Sequence, residues 1–150
     1  MSCVAMLTLA LFFPSATAQD KDAKALAQEI LNKGAALFDT RDAMSMALTY
    51  TEDAKLFWVD KNKDTGKIRV EVKDGRGEIE KVYRDMFKDP NEKTTSRNTV
   101  EFAKLVSPEL LLIEGQFEPN IDKGKYNFTQ ERVKINGKWL IQSLRLYVVD

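Results

Sequence analysis

The chain has 150 residues, with 23 basic and 23 acidic side chains, no histidine and one cysteine. Balanced charge without like-charge blocks argues against a nucleic-acid or anionic-membrane binder. The lack of histidine removes Ser-His-Asp and Cys-His nucleophile systems and every histidine-ligated metal site. At 43% apolar and 31% charged residues, the composition is that of one ordinary globular domain.

Residues 1 to 18 carry no charged side chain, and Val4 to Phe13 is a stretch of ten that is apolar apart from Thr8. It is too short for a bilayer span, which needs about 20 residues. Pro14-Ser15 and Ala16-Thr17-Ala18 follow, so the segment reads as a secretory signal peptide cut after Ala18. The expectation is a secreted or periplasmic chain, residues 19–150, with no membrane insertion once mature. Cys3 lies in the segment removed, so that chain would hold no thiol or disulfide.

From Asp22 to Phe38, apolar residues recur at steps of three and four, which predicts an amphipathic helix. Asp39-Thr40 offers an N-cap for a short second helix with Ala43, Met44, Ala47 and Leu48 inward, closed by Tyr50-Thr51-Glu52-Asp53-Ala54. Leu56 to Asp60 and Lys67 to Lys73 read as paired strands, the second alternating Ile68, Val70 and Val72. A third helix carries Ile79, Val82, Tyr83, Met86 and Phe87 on one face and stops at Asp89-Pro90. Strands follow over Thr99 to Val106, Glu109 to Glu118, Tyr126 to Ile135 and Lys138 to Val149, the last two joined by the hairpin signal Asn136-Gly137. The fold class expected is α+β: three N-terminal helices packed on a strongly curved antiparallel sheet.

This order resembles the nuclear transport factor 2-like superfamily, which includes the SnoaL-like cyclases and ketosteroid isomerase. Tyr50-Thr51-Glu52-Asp53-Ala54, Gly75-Arg76-Gly77-Glu78-Ile79 and the final hairpin from Val133 to Ile141 carry the resemblance, which spans residues 24 to 148. It implies a cone-shaped domain with a ligand pocket at its mouth and an outer sheet face that often forms a homodimer. Of the isomerase's three catalytic positions, the general base falls on Trp58 and the tyrosine donor near Lys33-Gly34. Only the second donor retains an acid, at Glu131.

The Asn136-Gly137 turn predicts Val133 opposite Leu140 and Glu131 opposite Gln142. The aliphatic hairpin face, with Glu131, Gln142 and Leu144, is assigned to the interior. The aromatic and arginine-bearing face, with Arg132, Trp139 and Arg145, is assigned to the dimer surface. The expected pocket is Trp58, Tyr83, Met86, Glu131, Gln142 and Leu144, taking a small, mostly apolar molecule without a cofactor. One alternative is a cofactor-independent isomerase, cyclase or dehydratase using Glu131, with Asp60 as a shifted base on the Trp58 face. The other is a protein-interaction module acting through the outer sheet face. Asp60 to Glu71 places oxygens at calcium-loop spacing, but its glycine falls at position 7 and strands flank it, so a polar hairpin loop is expected and no metal.

Overall fold

A computed structural model of the chain describes residues 16–89, 93–120 and 124–148. The segment expected to act as a signal peptide therefore lies almost wholly outside the described residues, and the expected cut after Ala18 falls in the first turn of helix α1 (Ala16–Asp39). Ala23, Ala27, Leu31, Ala35 and Phe38 form the buried stripe of α1. The small residues at its start let the helix lie close on the sheet.

Helix α2 (Ala43–Ala47) is capped by Asp42, not by Asp39-Thr40. The Asp42 carboxylate accepts from the Ser45 N–H at 3.0 Å and from its hydroxyl at 2.6 Å. That cap sets the rotation of a five-residue helix, so Met46 and Ala47 turn inward while Met44 and Leu48 are exposed, contrary to expectation. Tyr50-Thr51-Glu52-Asp53-Ala54 does not close the helix. It opens strand β1 (Tyr50–Lys61), which a hairpin joins to β2 (Ile68–Asp74). Helix α3 (Arg76–Met86) follows the predicted stripe, with Ile79 and Tyr83 buried.

Strands β3 (Ser96–Ser107), β4 (Leu110–Pro119), β5 (Tyr126–Ile135) and β6 (Lys138–Val148) form the expected antiparallel meander. The six strands are ordered β2-β1-β6-β5-β4-β3. The sheet is mixed rather than antiparallel throughout, because β1 lies parallel to β6. Helix α1 packs on β3 and β4, and α3 on β1 and β2, so the helices share one face and the α+β class stands.

Irregularities in β1, β3 and between Glu131 and Arg132 bend the sheet around the helices. The β3 edge is covered: the Gln28 side chain donates to the Asn98 carbonyl at 2.9 Å and accepts from the Val100 N–H at 3.0 Å. No described residue pairs with the β2 edge, and Ile68, Val70 and Val72 stand exposed on the outer face.

Candidate ligand-binding site

Between α1 and the concave sheet face lies a cavity of about 530 Å³, a size typical of small-molecule sites. Leu31, Phe38, Phe117, Phe128, Ile141 and Leu144 supply apolar walls. Leu48, Met86 and the turn residues Gly137 and Lys138 are partly or largely exposed at its rim. Gly34 also lines it, and a Cβ added there would meet no atom within 4 Å. A glycine inside a helix costs about 1 kcal/mol relative to alanine, so this position gives up helix stability and keeps space open.

Two tyrosines stand in the wall. Tyr50 and Tyr83 are buried and share a hydrogen bond of 2.8 Å between their hydroxyls. Burial pushes both phenols up, Tyr50 furthest, so both are neutral at physiological pH. In such a pair one hydroxyl donates to the other, and the second keeps its proton for a third partner.

The segments that carried the family resemblance hold this pair in place. Arg76 donates to the Tyr50 carbonyl from Nε at 3.0 Å and Nη2 at 2.7 Å. The Gly75 N–H donates to the Ala54 carbonyl at 2.8 Å, with Gly75 at φ +87°, where a side chain would be strained. The GRGEI start of α3 therefore clamps the irregular opening of β1, which fixes Tyr50 against Tyr83.

Arg132 is 5% exposed and lines the same cavity. Its Nε donates to Gln130 Oε1 at 2.8 Å. Among the described residues no carboxylate pairs with it, and burial pushes its guanidinium down to about 10. Arg132 and Gln130 were not expected inside.

The placement of the predicted residues follows from one irregularity. The turn pairs Val133 with Leu140 as expected, but the bulge between Glu131 and Arg132 sets Glu131 opposite Ser143, not Gln142. On β5 the inward residues are Phe128, Gln130 and Arg132, so the assignment of the two faces is reversed there. Glu131 is exposed on the outer face and does not line the cavity. Gln142 also lies outside it: Thr51 Oγ1 sits 3.1 Å from its Oε1, and both residues hydrogen-bond Asp53 and hold that carboxyl below the usual range.

Trp58 does not line the cavity either; its ring faces Tyr126 at 6.3 Å. Tyr83, Met86 and Leu144 do line it. Of the expected interface residues, Arg132 and Trp139 belong to the cavity, while Arg145 lies over the Phe57 ring at 4.1 Å. Asp60 is engaged by Arg69, whose Nε donates at 3.0 Å and which holds the carboxyl below its usual range. Asn62 Oδ1 accepts from the N–H groups of Asp64 and Thr65, forming the polar β1–β2 turn expected there.

No protein-family model and no curated protein sequence matches the chain. Solved structures do. A nuclear transport factor 2-like protein of unknown function from Shewanella oneidensis superposes with a TM-score of 0.62 at 18% identity, over 79% of this chain and 93% of that one. A scytalone dehydratase-like protein from Novosphingobium aromaticivorans gives 0.61 at 13% identity, over 84% and 86%. A cystatin-like domain of unknown function from Nostoc punctiforme gives 0.59 at 14% identity, over 84% and 76%. The chain thus has the cystatin-like α+β fold of the nuclear transport factor 2-like proteins.

Proposed function

We propose that the chain binds a small, mostly apolar molecule in the cavity between α1 and the concave sheet face. The observation that carries this reading is the cavity itself, lined by aromatic and aliphatic side chains and kept open at Gly34. Binding is favoured over proton abstraction because no carboxylate lines the cavity among the described residues, and both tyrosines hold their protons and so offer no base. The fold by itself decides nothing, since it carries enzymes and binding modules alike.

Gly34→Phe tests the reading. The ring takes up space inside the cavity, and the helix gains roughly 0.5 kcal/mol from replacing glycine. Calorimetric titration with 2-naphthamide, a neutral flat probe, should show binding to the wild type and at least about a tenfold loss in the variant. The variant's melting temperature should not fall. Equal binding by both proteins places the probe elsewhere and removes the reading.

The chain is further proposed to be exported and to pair with a second copy through the outer sheet face. The observation favouring a pair is the exposed row Ile68, Val70 and Val72 on the uncovered β2 edge, beside Phe57 and Arg145 on the same face. Native mass spectrometry of the secreted protein should give a dimer of chains that begin at Gln19. Val70→Lys should leave monomers, and a dimer that survives it rules out this face.

A further inference from the structure

The cavity is one-sided in charge. Lys33, Arg132 and Lys138 line it and, among the described residues, no acidic one does, in a chain whose 23 basic and 23 acidic side chains balance. Lys33 is paired with Glu29 and Lys138 is exposed at the rim, so both are solvated. Arg132 is different: it is 5% exposed and has no carboxylate within ion-pair reach among the described residues.

A buried cation without a counter-charge is costly, and structures seldom keep one unless a partner arrives. Among the described residues its compensation is one hydrogen bond to Gln130 and two neutral phenols nearby. The Tyr50–Tyr83 pair leaves a hydroxyl proton uncommitted in the same wall. A guanidinium fork and a phenol hydroxyl suit the two oxygens of a carboxylate.

We infer that the ligand is an apolar organic acid, bound as its anion, with its charged oxygens on Arg132 and its apolar body against Phe38, Phe117 and Phe128. This rests on the cavity being a binding site at all, and it adds the charge of the ligand's head. The lysines at the rim raise the local concentration of such an anion.

A matched pair of probes, 2-naphthoate and 2-naphthamide, separates the two ideas by calorimetric titration at neutral pH. The acid should bind at least about tenfold more tightly than the amide, the net worth of one charge-assisted contact in a desolvated site. Arg132→Met should bring the ratio of the two affinities close to one. If wild type binds both probes equally, the charged head is wrong and the apolar cavity stands. If neither binds, the cavity reading itself fails.

Inorganic phosphate or chloride that raises the melting temperature as much as naphthoate identifies a bare anion site and overturns the organic acid. Should Arg132→Met not fold, Arg132→Lys keeps the charge but not the fork. It is expected to retain a reduced preference for the acid, and a lysine variant with no preference overturns the assignment.

Discussion

Gly115→Ala is expected to lower the stability of the domain by about 3 kcal/mol, the upper end for inserting one methyl into a packed interior. Gly115 is buried in β4, between Val100 on β3 and Phe128 on β5. A Cβ there would stand 2.2 Å from the Thr99 carbonyl oxygen and 3.1 Å from the Phe128 ring. The first contact is with backbone and cannot be relieved by a rotamer change. It exists because β3 bulges between Val100 and Phe102, where the sheet folds back over α1.

Relief would require the bulge to open or β4 to shift, and either disturbs Phe128, which walls the cavity. Urea unfolding should therefore show a lower midpoint with an unchanged slope, and the variant should bind 2-naphthamide more weakly. Gly34→Ala is the control, since its added methyl meets open space and the helix gains about 1 kcal/mol. A Gly115→Ala midpoint equal to wild type would mean that the β3 bulge opens freely and does not set the curvature.

The elements that local chemistry specifies were legible in the sequence. The stripe Ile79, Val82 and Tyr83 marks α3 because three- and four-residue steps have one geometric meaning. Asn136-Gly137 marks its turn because both central positions need positive φ, observed at +50° and +78°. Legibility ended at non-local pairing. The parallel contact between β1 and β6 leaves no turn between them to announce it. Tyr50 read as the end of a helix because its partner Tyr83 lies 33 residues away.

The two faces of β5 were exchanged for a physical reason. An aliphatic face suits a solid core, whereas a core with a cavity is walled by aromatic and polar side chains such as Phe128, Gln130 and Arg132. One signal was present: inward apolar residues run Trp139, Ile141 and then Leu144, Leu146, a change of phase that marks the bulge at Gln142.

Arg132→Met should make the ligand-free protein more stable, by about 2 kcal/mol, while removing its preference for an anion. Burial is the leading cause that pulls the Arg132 guanidinium down from its ordinary value to about 10 in the folded chain. A base that holds its proton less tightly in the native state than in the unfolded one costs stability wherever it is charged in both. The full cost is therefore present at every pH below about 10, neutral pH included, and is relieved only above it. A depression of that size corresponds to about 3 kcal/mol. Methionine has similar length and no charge, and its main loss is the hydrogen bond to Gln130, about 1 kcal/mol.

The net gain should appear as a rise in melting temperature of roughly 6 °C without ligand. Naphthoate at high concentration should reverse the order, because mass action stabilises only the protein that binds it. That crossing separates a binding group from a packing one: an arginine kept for structure would lose stability on replacement, with or without the acid. If Arg132→Met melts below wild type in the absence of ligand, the fold itself compensates the charge, and the cavity needs no anion to complete it.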